Sequence, residues 1–186
     1  MGRPSNREQR RAEILQAFAR VLAEHGVAGA TMARVAEEAG FVPGLIHHHF
    51  RDKDDLLDAL LGALVAGFHA RIRAEQALGS TDALAAYGDA ALKLGERSDT
   101  ISARCWVGLF AEALRNPQLF KRMRRLIDSE LSSIEQRAAG RFATPEAGAV
   151  LAYTLGALVL GAFAPQKTAG FAAPGFHRLV RGLLAD

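Results

Sequence analysis

The sequence predicts an all-α protein, and three observations support this. Apolar residues recur every three or four positions along most of the 186 residues, without the period of two that is typical of strands. Prolines stand where three of the later helices are expected to start. Residues 31–53 divide into short helices on either side of Gly40, the pattern of a helix-turn-helix. We therefore predict an N-terminal three-helix head in residues 1–52 and a C-terminal helical body in residues 53–186.

The head is expected to contain three helices with clear boundary signals. The first covers residues 7–25 and is ended by a glycine. Its buried face consists of Ile14, Leu15, Phe18, Val21 and Leu22. The second begins after Thr31, whose hydroxyl can accept a free first-turn N–H, and ends at Gly40. The third begins at Pro43, because the missing N–H of a proline needs no partner there, and runs to about Phe50.

The body is expected to open on a long helix that starts after Asp52 and runs to about Ala77. Asp55, three residues after Asp52, suits the partner position of a capping box, and acidic residues in the first turn also suit the helix dipole. Four or five further helical stretches follow, at about residues 82–96, 100–115, 117–139, 145–164 and 174–184.

The composition is typical of a globular cytoplasmic protein. Apolar residues make up 49% of the chain, one cysteine allows no internal disulfide, and the N-terminal residues lack an apolar signal-peptide segment. The first 12 residues hold four arginines and one acid, so they alone carry the net charge of +3 that the whole chain has. Gly2-Arg3-Pro4 is similar to the core of arms that lie in the minor groove of DNA, and a solvated basic tail is the alternative.

The motifs of common enzyme classes do not occur in this sequence. It has no G-x-S-x-G, H-E-x-x-H, P-loop or dinucleotide fingerprint. His47, His48 and His49 are consecutive, and neighbours on a helix point about 100° apart, so they cannot converge on one tetrahedral metal ion. We therefore predict no catalytic residue, no metal and no cofactor.

Residues 147–166 carry no charge, and about 20 apolar residues are enough to cross a membrane. Three glycines and Thr154 interrupt this segment, and alanine outnumbers leucine and isoleucine together. We therefore predict a packed helix and no membrane partner. Its small residues share one helical face, which permits the close approach of another helix.

Residues 40–57, GFVPGLIHHHFRDKDDLL, resemble the head signature of TetR-family regulators. In that signature a glycine, a short recognition helix, a phenylalanine and a lysine precede a long connecting helix, and the resemblance extends over residues 14–61. It implies a homodimeric, ligand-released repressor whose head binds a palindromic operator in double-stranded DNA. Its effector is expected to be a small apolar or amphipathic molecule bound by the body. The alternatives are a helical carrier without specific DNA binding and an enzyme.

The resemblance and the basic arm together assign DNA contacts to Arg3, Arg7, Thr31, Arg34, Val42, Pro43, Gly44, His47, His48, His49 and Lys53. Val42 and Pro43 stand where the family usually has a polar pair, so they offer only apolar contact, for example to a thymine methyl. His47 and His48 are expected to reach base edges or phosphates. The positions that match phosphate contacts are Thr31, His47, His49 and Lys53.

The body of TetR-family proteins has an apolar ligand cavity among its middle helices, and its last two helices form a four-helix dimer interface. The resemblance therefore implies effector binding by Phe68, Tyr87, Trp106, Phe110, Met123 and Tyr153. Ordinary core aromatics are the alternative interpretation of this set. The dimer interface is predicted to include Ala149, Ala152, Tyr153, Gly156, Leu160, Phe176, Leu179 and Leu183.

Two further features have a structural and a functional interpretation. Cys105 is interpreted as a small buried hydrophobic residue rather than a redox sensor. A basic run, interpreted as a solvated helix face, consists of Lys121, Arg122, Arg124 and Arg125, with Asp128 and Glu130 nearby. An anionic ligand or a second DNA contact is the alternative for this run.

Overall fold

The computed structural model describes residues 6–77, 82–92 and 97–185, with residues 97–99 described by their backbone alone. In that part of the chain the fold is all-α, as predicted, and has no strand. The helices there are α1 (Asn6–Gly29), α2 (Met32–Ala39), α3 (Pro43–His49), α4 (Lys53–Ala77), α5 (Ala83–Leu92), α6 (Arg97–Ala113), α7 (Pro117–Arg137), α8 (Thr144–Phe163) and α9 (Pro165–Leu183). Arg3 and the end of the helix predicted over residues 82–96 lie outside the described residues.

Helices α1 to α3 form the head, and local signals set their ends. The regular part of α1 ends at Gly26, which has a φ of 68°, in the left-handed region that favours glycine. Thr31 caps α2, because its Oγ1 accepts a hydrogen bond from the backbone N–H of Arg34 at 3.3 Å. Gly40, also at a φ of 68°, ends α2, and Pro43 is the first residue of α3. These boundaries confirm the predicted helix-turn-helix.

The start of α4 is stabilised by two aspartates. Asp52 Oδ1 accepts a hydrogen bond from the backbone N–H of Asp55 at 2.8 Å, as an N-cap does. The carboxylate of Asp55 accepts from the backbone N–H of Arg51 at 3.2 Å, so it bonds one residue earlier than a capping box requires. The two carboxylates therefore hold the turn between α3 and α4 in place as well as the helix itself.

The head and the body share one apolar core, which we call the head cluster. Besides residues of α1 to α3, it includes Leu56, Leu57, Leu60 and Leu61 of α4, Cys105, Leu109 and Ala113 of α6, and Leu119 and Met123 of α7. A second core, the body cluster, includes Ile72, Leu84, Tyr87, Ile134, Val150, Leu151 and Phe176. Because the head cluster continues into α4 and α6, a displacement of either helix changes the support of the head.

The closest contact between head and body is made by α1 and α6. The thiol of Cys105 donates to the carbonyl of Ala19 at 3.3 Å. A Cβ on Gly108 would stand 2.9 Å from Leu22 Cδ2, so only a glycine allows this approach without a shift. Burial raises the pKa of Cys105 to about 12, which keeps the thiol protonated and unreactive. This environment agrees with the interpretation of Cys105 as a buried hydrophobic residue.

Helix α8 lies against α6, α7 and α9. Of the described helices it is the one long and apolar enough to cross a membrane, with a mean hydropathy of 1.6 and 39% of that stretch buried. It also packs against α5, and buried small residues such as Ala147, Ala157 and Gly161 allow the close approach of its neighbours.

The last helix corrects one prediction. A helix start was expected at Pro174, but α9 begins at Pro165, so Pro174 lies inside it. Thr168 is buried near the first turn, where its hydroxyl donates to the carbonyl of Ala164 at 2.9 Å. An interior proline costs a helix about 3 kcal/mol. Burial of Ala172 and Phe176 on either side of Pro174 offsets that cost, so tertiary packing overrides the local signal.

Candidate functional site

Helix α3 has a buried side and an exposed side. Ile46 and, just after the helix, Phe50 are 0% and 1% exposed and belong to the head cluster. The exposed side carries Val42, Pro43, Gly44, His47 and His48. Val42 is 71% exposed although it is apolar, and it sits at the N-cap without a side-chain hydrogen bond. The structure therefore brings five of the predicted DNA-contacting residues onto one accessible surface, which we call the recognition surface.

Arg11 positions the end of α3, a role that the sequence analysis missed. Its Nη1 donates to the carbonyl of His49 at 2.7 Å, and its guanidinium stands 4.0 Å from the centre of the Phe50 ring. The helical spacing contains the signal, because Arg11 precedes Ile14 by three residues and Phe18 by seven and so shares their inward face. The basic arm thus includes one arginine that supports the head from within.

His49 does not join the recognition surface. It is half-buried, and its Nδ1 is shielded from solvent without a hydrogen-bond partner in the described residues. Burial lowers the pKa of His49, and the nearby positive groups of His48, Arg7, Arg11 and Arg10 lower it further. The lowered pKa favours the neutral imidazole of His49, and this side chain is less exposed than those of His47 and His48.

We expect His49 to make the head less stable in mild acid. Since its pKa is lower in the folded head than the ordinary value of about 6.5, the unfolded chain binds the proton more readily. The free energy of unfolding should fall as the pH drops below about 6.5 and level off below the folded pKa. Urea unfolding at several pH values between 7.5 and 5 measures this, and His49→Asn should flatten the dependence. His47→Asn removes an exposed imidazole and is the matched control. If the free energy of unfolding depends on pH equally in the native chain and in His49→Asn, the expectation is refuted.

Thr31, Arg34 and Lys53 are anchored but keep hydrogen-bond donors for a further partner. Arg34 Nη1 donates to the carbonyl of Gly29 at 3.1 Å, and Lys53 Nζ donates to the carbonyl of Val27 at 2.9 Å. The Thr31 hydroxyl accepts one bond as the cap of α2, and its own O–H can still donate. An ammonium has three N–H donors and a guanidinium has five, so both cations retain donors beyond these bonds. Arg7 is exposed at the start of α1.

A cavity of about 80 Å³ lies in the body between α4, α5, α6, α7 and α8. Four of the six predicted effector-binding residues line it, namely Phe68, Tyr87, Trp106 and Phe110. The other lining residues are Val65, Arg71, Ala91, Leu126, Ile127, Glu130, Leu151, Thr154, Leu155 and Leu158. Most of these side chains are apolar, so the cavity offers a hydrophobic site with a few polar groups.

Met123 and Tyr153 do not line this cavity. Met123 is 3% exposed and packs in the head cluster. Tyr153 faces α9, where its hydroxyl donates to the carbonyl of Ala172 at 3.0 Å. That hydroxyl would lie 2.1 Å from a Cβ on Gly175, so the glycine makes room for it. Both residues are therefore left out of the effector site that we propose below.

Glu130 is a cavity residue that the sequence analysis placed beside a solvated face. It is only 8% exposed. Its Oε1 stands 3.3 Å from His69 Nε2, whereas its Oε2 is shielded from solvent and has no hydrogen-bond partner in the described residues. Burial raises the pKa of Tyr87, and the nearby carboxylate of Glu130 raises it further, so the phenol stays protonated. The signal was present, because Glu130 is spaced four residues from Leu126 and from Ile134 on the inward stripe of α7.

Comparison with known proteins identifies the family. The model of bacterial regulatory proteins of the tetR family matches residues 14–60. The HTH-type transcriptional regulator BetI of Stenotrophomonas maltophilia (strain R551-3) is 32% identical over 127 residues, which cover 67% of this chain and 64% of BetI. This chain belongs to the TetR family. It spans just under two thirds of the length of the curated relatives it matches first.

Solved structures of the TetR family share the whole fold. A TetR transcription regulator from Haloarcula marismortui ATCC 43049 has a TM-score of 0.80 at 20% identity, with 94% of this chain and 98% of that chain covered. The fatty acid degradation regulator FadR from Bacillus halodurans has the same score and identity, with 98% of each chain covered. At this identity the likeness shows the fold alone. The relatives are named as regulators, in agreement with the predicted class of protein rather than with an enzyme.

The TetR-family dimer residues predicted on α8 and α9 fall into three groups. Ala152, Gly156 and Leu160 are exposed on α8, close to three further apolar side chains that are also exposed, Val159, Phe163 and Phe171. The half-buried residues are Ala149, Tyr153, Leu179 and Leu183. Phe176 is 0% exposed, and its ring lies so close to Gly88 that it belongs to the core of the protomer. It is not available to a partner and is left out of the interface that we propose.

The four residues of the basic run on α7 fall into two groups. Lys121, Arg124 and Arg125 are exposed, as a solvated face requires. Arg122 instead forms an ion pair with Asp58 of α4. Asn116, which caps α7, donates to Asp54 at 3.0 Å and so makes a second link between the same helices. One member of the run therefore ties α7 to the first turns of the helix that follows the head.

Proposed function

We propose that this TetR-family protein is a transcription repressor that binds a palindromic DNA operator as a homodimer and is released by a small molecule. The observation that carries the proposal is the recognition surface. His47 and His48 stand on the exposed side of a short helix whose other side is held by Ile46 and Phe50. A helix supported in this way can enter the major groove with its side chains against base edges. Such a regulator acts in the cytoplasm.

The surrounding residues supply contacts to the DNA backbone. Thr31, Arg34, Lys53 and Arg7 each have at least one donor left after their internal hydrogen bonds, and donors of this kind bind phosphate oxygens. Val42 and Pro43 present apolar surface to the groove, and Gly44 lets the backbone approach closely. His49 is excluded from the contact set because it is half-buried and its Nδ1 is shielded from solvent. Arg3 belongs to the proposed minor-groove arm.

Selection of binding sites from a random duplex pool, at two salt concentrations, tests this proposal. We expect a palindrome with half-sites about one helical turn, roughly 34 Å, apart. His47→Ala and His48→Ala should each weaken binding to the selected site about tenfold, as loss of a base contact does. Arg124→Ala removes an exposed cation of the basic run and serves as the control, with unchanged affinity expected.

Three outcomes would count against the proposal. Binding without any enriched motif would mean that α3 does not read bases. If Arg124→Ala weakens binding as much as the two histidine variants do, the DNA contact lies on α7 instead of α3. No duplex binding at either salt concentration would favour a helical carrier protein.

The homodimer is proposed to form through the exposed apolar side of α8 and the adjoining part of α9. Ala152, Gly156, Val159, Leu160 and Phe163 follow one another at helical spacing and are exposed. Phe163 alone is 79% exposed, which is unusual for a phenylalanine outside an interface. The small residues in this stripe let two copies of α8 approach closely, and a two-fold dimer presents two recognition surfaces to one operator.

The effector is proposed to occupy the cavity in the body. Four helices that line it also support the head or the proposed dimer, since α4, α6 and α7 contribute to the head cluster and α8 to the interface. A ligand that binds better when α4 and α6 are displaced shifts the population away from the DNA-competent arrangement by its difference in affinity. The contact of Cys105 with Ala19 and the ion pair of Arg122 with Asp58 connect those helices to their neighbours.

A further inference from the structure

The cavity contains an unsatisfied carboxylate oxygen, and this indicates the chemistry of its ligand. Glu130 Oε2 is shielded from solvent and has no hydrogen-bond partner among the described residues. A buried acceptor without a donor is costly, and more so when it carries charge. Resting on the effector site proposed above, we propose that the ligand is a small hydrophobic amine whose protonated nitrogen donates to Glu130 Oε2.

The other polar side chains around the cavity have hydrogen-bond partners of their own. His69 of α4 stands at Glu130 Oε1, at 3.3 Å, and a side-chain hydrogen bond to the same carboxylate contributes to the raised pKa of Tyr87, whereas Oε2 is buried without a partner in hydrogen-bond geometry among the described residues. Arg71 of α4 donates from Nε to the carbonyl of Ala90 at 3.1 Å, and its guanidinium lies 5.9 Å from the centre of the Phe68 ring. Thr154 Oγ1 donates to the carbonyl of Val150 at 2.9 Å, within its own helix. Of these groups, Glu130 Oε2 is the buried atom without a hydrogen-bond partner among the described residues, whereas the remaining N–H donors of Arg71 belong to an exposed side chain that water can reach.

The electrostatics of the cavity favour a cation over an anion. The Tyr87 phenol is close enough to Glu130 for the carboxylate to raise its pKa, so negative charge is present at the wall. Arg137 is a second cation near this wall, with its guanidinium 5.9 Å from the centre of the Tyr87 ring, but it is not one of the residues that line the cavity. An anionic ligand bound at this wall would be placed against Glu130 Oε2, which has no hydrogen-bond donor of its own among the described residues, and like charges repel in a poorly solvated site.

The apolar side chains that line the cavity explain why the amine should carry an apolar group. Phe68, Trp106 and Phe110 present aromatic side chains, and Leu151 and Leu155 close the side formed by α8. Aromatic faces attract ammonium groups and also bury the alkyl chain attached to them. Small size is required because the cavity holds only about 80 Å³, so even a six-carbon ligand needs the surrounding apolar side chains to shift when it binds.

Calorimetric titration of the full-length protein with four ligands of equal chain length tests the inference. Hexylamine should bind at least tenfold more tightly than hexan-1-ol or hexanoate. Hexyltrimethylammonium has the same charge but no N–H donor, and it should also bind at least tenfold more weakly than hexylamine. Equal or tighter binding of hexanoate would assign the site to Arg71 and overturn the proposal. Equal binding of the quaternary ligand would overturn the hydrogen bond to Glu130.

A matched pair of variants assigns the effect to Glu130. Glu130→Gln keeps the shape of the side chain and should reduce hexylamine affinity at least tenfold while leaving hexan-1-ol unchanged. Asp128→Asn removes an exposed carboxylate from the same helix and should leave both affinities unchanged. Should Glu130→Gln fail to fold, the comparison of hexylamine with hexan-1-ol on the native chain still decides the question.

Operator binding measured on the same samples separates this inference from the proposed function. Operator binding without any amine binding would overturn the ligand assignment and leave the repressor proposal standing. Amine binding without operator binding would overturn the repressor proposal and leave the ligand assignment standing.

Discussion

Replacing Phe50 with alanine is expected to lower the free energy of unfolding by about 3–5 kcal/mol, the usual cost of removing a buried phenylalanine, and to abolish operator binding. Phe50 is 1% exposed and lies where α3 ends. Its backbone N–H donates to the carbonyl of Ile46 at 2.8 Å, and the guanidinium of Arg11 packs over its ring. Without the ring, the cation that holds the last carbonyl of α3 loses its support, so the recognition surface loses its fixed position.

Chemical unfolding and duplex binding measure the two effects. Val42→Ala is the matched control for the unfolding measurement, because it removes an apolar side chain from the same motif at a position that is 71% exposed. Its free energy of unfolding should change by less than about 0.5 kcal/mol, as is usual on the surface. A Phe50→Ala protein as stable as Val42→Ala would show that the head does not depend on this residue.

Gly88→Ala is expected to destabilise the body by about 1–3 kcal/mol, although alanine is the better helix former. A Cβ at this position would stand 2.3 Å from two atoms of the Phe176 ring. Both residues are buried in the body cluster, where α5 packs against α9, so neither helix can yield without losing other contacts. The expected result is overpacking that outweighs the gain in helix propensity.

Two measurements give this prediction its controls. Gly62→Ala, on the exposed side of α4 with nothing within 4 Å of the added Cβ, should instead stabilise by about 0.5–1 kcal/mol. A double-mutant cycle with Phe176→Ala should show strong coupling, because removal of the ring makes room for the methyl group. Additive effects in the cycle would mean that the clash with Phe176 is not the cause.

The sequence alone predicted the helix ends in the head, because each end is determined by residues only a few positions apart. Thr31, Gly40 and Pro43 set the ends of α2 and α3 through hydrogen bonds and dihedral angles within a few residues, and Gly26 ends the regular part of α1 in the same way. The spacing of apolar residues predicted the buried face of the head, whereas the aromatic residues of the cavity were predicted from the family resemblance. The family resemblance followed from these local features together.

Only the tertiary structure decided which neighbour each side chain meets. His47, His48 and His49 are three identical residues in a row, yet packing half-buries the third while the first two remain exposed on the recognition surface. The sequence predicts Phe176 in a dimer interface, but its ring packs against Gly88 in the core of the protomer. It also predicts a helix start at Pro174, but burial of the neighbouring residues keeps this proline inside α9. Glu130 is a candidate ligand-binding residue because it lines a cavity formed by five helices, and the sequence alone does not show that these helices meet. Local signals act over about one helical turn, whereas burial and charge pairing depend on segments far apart in the chain, so the sequence determined the helices and their caps and the packing determined the site.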